Sequence, residues 1–486
     1  MNTELKKHIK IIAMIMAVFC LISVGLLLLG GEQLHSKRVS SGDPVTATAG
    51  TMDLNAENSI SQRFSIGGDH LNYITLYLIT YERQNTCTLN LVVTDEQGNA
   101  LGSKAVSAAG LTGSAAVPIF FDTPVETAPD EPMILTITSD GQPGNSVAFL
   151  YGDSVNLSKG SVKKEIAEAD RIRFDGAPLN GVLCFEAVGT KELLFGEIYW
   201  YLAGAAALML LALCIWTSRK ILSGRRSTTV RIINAFRRYS FLIQQLVLRD
   251  FKAKYKRSVL GMLWSFLNPL LMMTIYLLVF SMLFNSNIEH FPAYLIIGIV
   301  FFGFFNEATS MSLQSIVGNA ALITKVYVPK YIYPVSRVLS SGVNLLLSMI
   351  PLFLILVITG IPVRPQFLLV IFGVLCILML SLGVGMLLAS AMVFFRDIQF
   401  LWGIVTTMLN FLTPIFYPES IIPANFQFVL KLNPLYHIIR FVRIVLIDGI
   451  SPEPKAYLYC LITTLVPLLL GVFVFRKTQD QFVLNL

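Results

Sequence analysis

The sequence predicts a polytopic α-helical membrane protein, with about eight transmembrane helices and one inserted extracytoplasmic all-β sandwich domain. Three observations carry this prediction. Apolar residues make up 54% of the 486 residues and charged residues only 14%, against about 45–50% and 25% in a typical globular domain. The apolar residues are gathered into runs long enough to cross a hydrocarbon core of ~30 Å. Between the first two runs, residues 35–195 alternate apolar with polar instead, as half-buried strands do. With a mean hydropathy of +0.66, a soluble enzyme, a disordered chain and a disulfide scaffold are excluded.

The first run, Ile11 to Leu29, follows Lys6, Lys7 and Lys10. The Gly-Gly-Glu-Gln after it lacks a small-x-small cleavage site, so an uncleaved anchor (residues 1–34) is expected rather than a signal peptide. The β-domain (residues 35–195) follows. Its strand candidates are Tyr73 to Thr80, Thr88 to Thr94, Val117 to Phe121, Met133 to Thr138, Val147 to Tyr151 and Val182 to Ala187. Asp95-Glu-Gln-Gly-Asn99 reads as a hairpin turn, with Gly98 able to take positive φ. A second span (residues 196–217) returns the chain to the cytoplasm. A basic segment (residues 218–258) and six further runs within residues 259–486 complete it: Leu260 to Phe284, Ala293 to Ile316, Leu339 to Ile361, Phe367 to Phe394, Leu401 to Tyr417 and Ala456 to Phe475.

Charge orients the chain. Residues 36–195 hold 19 acids and 11 bases, and the rest holds 11 acids and 26 bases. Twelve of those bases, against the single acid Asp250, lie between Ser218 and Arg257. Basic loops beside membrane spans stay in the cytoplasm, so this block points to a membrane surface and not to nucleic acid. An even number of spans then places both termini in the cytoplasm and the β-domain outside. Cys87 and Cys184 are the two cysteines outside the runs, and whether they pair is left open.

Phe241 to Arg257 has the pattern of an interfacial helix. Ile243, Val247, Phe251 and Tyr255 form an apolar row flanked by Leu242 and Leu246, and Arg249, Lys252 and Lys256 fall opposite. Such a helix lies in the membrane surface, and its cationic side, with Arg257, suits an anionic lipid headgroup; inner-face charge alone is the simpler reading of any one of these bases. Asp250 is expected to pair with Lys254 four residues on.

From here the sequence resembles ABC-2 type permeases that export polysaccharides, the O-antigen and teichoic-acid exporters among them. The likeness rests on four segments in order: Leu248 to Leu270, Ser315 to Lys330, Phe395 to Leu401 running on to Leu412-Thr-Pro-Ile-Phe-Tyr-Pro418, and Leu432-Asn-Pro-Leu435 with the tail Phe475-Arg-Lys. It covers about Ser240 to Leu486. The first ~235 residues depart from the family pattern, and nothing about them is carried over.

The resemblance implies a homodimer of six-helix permease cores in a bacterial cytoplasmic membrane, exporting a lipid-linked polysaccharide. It also implies a separate ABC ATP-binding subunit that holds ATP and magnesium. The sequence contains no G-x-x-x-x-G-K-[ST] cradle of its own, and no cofactor is expected in this chain. Gly318 to Lys330 matches the loop that docks on the ATPase, with Asn319, Lys325, Pro329 and Lys330 as candidates. The segment Tyr417 to Lys455 matches re-entrant helices in which His437, Arg440 and Arg443 would touch the exiting chain.

A sugar presents C–H faces on which aromatic rings stack weakly and repeatedly. Trp264, Tyr276, Phe280, Phe301, Phe305, Phe416 and Tyr417 are therefore candidates for a translocation path, with interface anchoring as the alternative. In the β-domain Tyr73, Tyr77 and Tyr81 share one side of a strand. They either contact glycan or form the sandwich core. A catalytic role is not expected, because the β-domain holds only His35 and His70 and no metal-ligand spacing or nucleophile elbow. Two alternatives remain open: a membrane-anchored ligand-binding or sensory protein, and an ABC-2 exporter of another lipid or drug.

Overall fold

The computed structural model describes residues 2–41, 49–51, 53–80, 83–111, 113–152, 168–222, 228–256, 259–284, 290–325, 328–423 and 427–485. The chain divides into two units: one carries the strands, Leu34–Glu197, and the other carries the long helices before and after it in sequence.

The β-unit is a two-sheet sandwich of strands β1 (Ser36–Ser40), β2 (Ala49–Gly50), β3 (Ser59–Phe64), β4 (His70–Ile79), β5 (Thr88–Thr94), β6 (Ala100–Ser107), β7 (Ser114–Glu126), β8 (Met133–Ser139), β9 (Ala148–Gly152), β10 (Arg173–Phe174), β11 (Ala177–Pro178), β12 (Val182–Leu183) and β13 (Phe185–Glu192). One sheet runs β1-β13-β4-β9-β12, with β7 also on β4 and β2 on β9; the other runs β11-β10-β3-β8-β5-β6. Every pairing is antiparallel. Alternation sends Ile74, Leu76 and Leu78 of one sheet and Leu89, Leu91, Val93, Leu135 and Ile137 of the other into a common core, as a half-buried antiparallel strand requires. The β5–β6 hairpin turns at Asp95–Asn99 as expected: Gly98 has φ +88°, and Asp95 Oδ1 accepts from the Asn99 amide at 2.8 Å. The ends of the insertion meet, since β1 pairs with β13 and Ser36 lies opposite Glu192. All six cysteines are thiols, so Cys87 and Cys184 form no disulfide.

The second unit contains α1 (Asn2–Gly30), α2 (Leu194–Leu222), α3 (Thr228–Tyr255), α4 (Leu263–Phe284), α5 (Phe291–Leu313), α6 (Ala320–Lys325), α7 (Ile332–Ile358), α8 (Val370–Phe394), α9 (Ile398–Leu412), α10 (Gln427–Leu432), α11 (Pro434–Arg443), α12 (Pro454–Thr478) and α13 (Phe482–Asn485). Among the described residues seven helical segments are long and apolar enough to cross a membrane, and the chain is a polytopic helical membrane protein. The expected span Leu401 to Tyr417 differs. Its helix, α9, has 15 residues, a length of about 22 Å, and the chain continues as an irregular segment from Thr413. Pro414 cannot donate a backbone hydrogen bond and forces the residue before it out of the helical region.

Helix packing is tightest between α8 and α12. A Cβ on Gly383 would meet Leu468 Cα at 2.5 Å, and one on Gly471 would meet the Gly383 carbonyl oxygen at 2.1 Å. Only glycine permits that approach, the usual device where lipid supplies no hydrophobic drive between helices. α1 and α2 are joined by the Tyr199 hydroxyl, which donates to the Ser23 carbonyl at 2.6 Å.

The expected interfacial helix starts earlier, at Thr228, and packs on protein. Among its described side chains the buried ones are Ile243, Leu246 and Asp250, spaced i, i+3, i+7, and the two apolar ones meet a cluster containing Ile316, Ile332, Tyr333, Met386 and Phe475. Asp250 does not pair with Lys254. Arg249 Nη2 reaches its Oδ1 at 3.0 Å and Arg337 Nη1 its Oδ2 at 2.9 Å. A carboxylate so buried is tolerated only when paired, and α7 brings Arg337 closer than the helix's own surface lysine.

Candidate functional site

Five helices line a cavity of 730 Å³ in the helical unit. α3 contributes Lys254 and Tyr255, α4 contributes Trp264, Ser265, Asn268 and Tyr276, α5 contributes Phe302, Asn306 and Glu307, and α7 contributes Asn344; Thr406, Asn410 and Phe416 close it. From Trp264 to Tyr276 the lining extends about 18 Å along α4.

One end is a continuous polar chain. Lys254 Nζ donates to Glu307 Oε1 at 2.9 Å. Asn344 Nδ2 donates to the same oxygen at 2.6 Å, and Tyr255 donates to Asn344 Oδ1 at 3.0 Å. A Tyr255–Ser265 hydroxyl contact extends it to α4. The other end is aromatic: Tyr276 and Phe416 have ring centroids 4.4 Å apart, and Phe280 stacks on Phe416 at 5.3 Å and 6°. Hydroxyl, amide and charged groups at one end with ring faces at the other can hold an amphipathic ligand by many weak contacts.

The sequence candidates fall on both sides of this cavity. Trp264, Tyr276 and Phe416 line it, and Phe280 buttresses Phe416. Phe301 and Phe305 do not line it. They are 0% and 2% exposed in the helical core, and Phe305 packs on Trp402 at 6.2 Å. Each residue turns 100° around α5, so Phe302, Gly303, Asn306 and Ser310 share the cavity face and Phe301 and Phe305 lie on the other. Tyr417 is held outside by a 2.6 Å hydrogen bond to the Phe411 carbonyl. The sequence reading missed Glu307 and Asn344, although an acid inside an apolar run is a signal in itself.

Of the cationic candidates, Lys252 is exposed on α3 and Lys256 in the turn just after it, Arg249 is occupied by Asp250, and Arg257 lies outside the described residues. In the loop candidates, Asn319 is buried and donates to the Ser315 carbonyl at 2.7 Å. Lys325 is exposed at the end of α6, and Pro329 is half-buried. Lys330 donates to the Gln479 carbonyl and sits 5.8 Å from the Phe482 ring, so it is tied to the C-terminal segment.

Arg443 cannot touch an exiting chain. It is buried, its guanidinium lies 3.3 Å from the Tyr294 ring centroid, and it donates to the carbonyls of Pro414, Tyr294 and Ile415 at 2.7, 3.1 and 3.2 Å. These bonds satisfy the backbone that α9 leaves irregular, which a membrane interior demands. His437 is held at the Lys431 carbonyl, 2.8 Å away, while Arg440 pairs with Glu419 at 3.6 Å.

The β-unit tyrosines are not core. Ile74, Leu76 and Leu78 take the inward side of β4, which leaves Tyr73 and Tyr77 on the opposite face; Tyr81 lies outside the described residues. Tyr73 packs on Phe120 at 4.8 Å. Burial first, and then Glu186, push the Tyr77 hydroxyl pKa up, so it stays a donor.

The cavity lies within a stretch that known proteins share. Residues 241–447, from the middle of α3 to the last turn after α11, match the family model for the ABC-2 type transporter. This chain is 29% identical over 259 residues to the O-antigen export system permease protein of Myxococcus xanthus, covering 52% of this chain and 98% of the relative. It is 29% identical over 239 residues to the protein of the same description from Klebsiella pneumoniae, covering 48% and 90%. With the polysialic acid transport protein of Escherichia coli it shares 25% over 241 residues, covering 49% and 93%. All the cavity-lining residues, Lys254 to Phe416, fall inside the matched segment.

Proposed function

We propose that the chain is the transmembrane permease subunit of an ATP-driven exporter that moves a lipid-linked polysaccharide across the bacterial cytoplasmic membrane. The cavity carries this reading: a Lys254–Glu307–Asn344 chain at one end and Tyr276, Phe280 and Phe416 at the other, inside a domain whose relatives are described as permeases for O-antigen and transporters of polysialic acid. Two copies act together with an ABC ATP-binding subunit that binds ATP and magnesium. Lys325 faces that subunit, whereas Asn319, Pro329 and Lys330 hold the loop in shape. Lys252 and Lys256, with Arg257 beyond them, receive the anionic headgroup of the carrier lipid. α9 with the irregular segment after it makes an eighth crossing, so both termini are cytoplasmic and the β-domain is extracytoplasmic. Basic residues between Ser218 and Arg257 support that orientation.

The test is purification from native membranes. An ABC ATPase is expected to co-purify, and its hydrolysis to rise when the cell's own lipid-linked polysaccharide is added. Purification without an ATPase, together with unchanged surface polysaccharide after deletion of the gene, overturns the reading.

A further inference from the structure

The two sheets of the β-unit have unlike outward faces. On the β3-β8-β5 sheet the outward residues are Ser59, Ser61, Arg63, Thr88, Asn90, Thr94, Thr136 and Thr138 with only Val92 and Ile134 apolar and no aromatic ring, the mostly polar set a solvated antiparallel face carries. On the other sheet the outward residues of β4 and β7 are Tyr73, Thr75 and Tyr77 beside Phe120, Pro118 and Ala116, each directly paired across the ladder. Phe120 is 59% exposed although nothing in the sandwich core requires an aromatic there. Arg38, on β1, donates to the Tyr73 hydroxyl, and its guanidinium lies 5.4 Å from the Tyr73 ring. Glu186 lies opposite Thr75 on β13, so the rings are bracketed by one cation and one carboxylate.

We infer that this face, Tyr73 and Phe120 with Arg38, Tyr77 and Glu186, is a binding platform for a glycan chain. The C–H face of a pyranose packs on an exposed ring without losing hydrogen bonds, while its hydroxyls need both donors and acceptors at the rim. Arg38 and Tyr77 supply donors, Glu186 and Thr75 acceptors. An acyl chain would have to strip water from Arg38 and Glu186 with nothing in return. Tyr73 and Tyr77 stand roughly 13 Å apart along the strand, a span that suits consecutive sugars of a polymer. The identity of the ligand as glycan rests on the exporter reading; the shape and chemistry of the platform do not.

The experiment applies the full-length chain, in lipid nanodiscs, to a printed array of bacterial O-antigen and capsular glycans. The wild type is expected to bind at least one of them. Phe120→Ala and Tyr73→Ala are each expected to weaken that binding about tenfold, and Thr136→Ala, on the polar sheet, to leave it unchanged. Phe120→Leu keeps apolar bulk and loses the flat ring, so it carries the test if the alanine variant unfolds. No binding by the wild type, or binding at the wild-type level by both Phe120→Leu and Tyr73→Ala, overturns the platform. The ATPase and gene-deletion results are read separately, so glycan binding with no ATPase and unchanged surface polysaccharide would sink the exporter reading and leave the platform standing.

Discussion

Lys254 and Glu307 form an ion pair of 2.9 Å between α3 and α5, and Asn344 from α7 donates to the same carboxylate oxygen. The pair is partly solvated, with side-chain exposures of 42% and 30%, so its contribution to stability is modest, on the order of 1 kcal/mol. Its place at the polar end of the cavity is what gives it consequence. Glu307→Ala leaves Lys254 and the Asn344 amide without their acceptor, and should lower export about tenfold, equivalent to roughly 1.4 kcal/mol, with normal membrane insertion. Adding Lys254→Ala should recover part of that loss, because the unpaired cation goes with it. Surface polysaccharide measured in cells for each single variant and for the double variant checks both expectations. A double variant worse than Glu307→Ala would mean that Lys254 acts on the substrate independently.

A second prediction concerns the α8–α12 crossing. Gly471→Ala forces a Cβ to 2.1 Å from a backbone oxygen that no rotamer change can move. The helices must separate, at a cost of roughly 1–3 kcal/mol or more. The melting temperature in detergent should fall and the folded yield with it. Gly403→Ala is the control: a Cβ there meets nothing within 4 Å, and the variant should melt like the parent.

Arg443 is the third. Arg443→Lys keeps the charge but cannot present a planar fork to the carbonyls of Pro414, Tyr294 and Ile415. Each carbonyl left without a donor costs roughly 1–3 kcal/mol, so the variant should lose stability, and proteolysis should then cut near Thr413 to Tyr417 first. Arg440→Lys, at the exposed pair with Glu419, should have little effect.

The fourth prediction separates thiols from a disulfide in the β-unit. Maleimide added after unfolding without reductant should label all six cysteines. In the native chain burial pushes the Cys184 thiol up to about 11. The reactive thiolate is then about one part in a thousand at pH 8, and its share rises tenfold per pH unit until the pKa is reached. Alkylation of Cys184 should therefore be slow at pH 8 and accelerate towards pH 11. Fast labelling at pH 8 would show that the site opens.

Strands and spans were legible in the sequence because each is a local periodicity. Tyr73 to Thr80 alternates whatever surrounds it, and the turn at Gly98 is encoded by the Asp and Asn on either side. Pairings between elements distant in sequence were not legible. Asp250 was expected to take Lys254, its neighbour in the helix, but its partners are the adjacent Arg249 and, from α7, Arg337. Phe301 and Phe305 were chosen for being aromatic, whereas which aromatic rings of α5 meet the cavity depends on which way the helix faces. Arg443 was expected to touch the exiting chain; its burial follows from the break at Pro414, which leaves carbonyls that need a donor. The platform was half visible: Tyr73 and Tyr77 share a strand, but Phe120 joins them only through the β4–β7 register.

The last prediction distinguishes two lysines that look alike in sequence. Lys325 ends α6 with its side chain exposed, and Lys330 is half-buried, donating to the Gln479 carbonyl beside the Phe482 ring. If α6 docks on the ATPase, Lys325→Glu places a carboxylate in that contact and should lower the yield of the co-purified complex while leaving the melting temperature of the permease alone unchanged. Lys330→Glu should act in the opposite order: it removes the donor at the end of α12 and sets a carboxylate against a carbonyl oxygen, so the permease itself should melt earlier, and any loss of complex should follow from that. Measuring complex yield and melting temperature for both variants separates docking from internal support. A Lys325→Glu variant that assembles and exports normally would remove α6 from the docking surface.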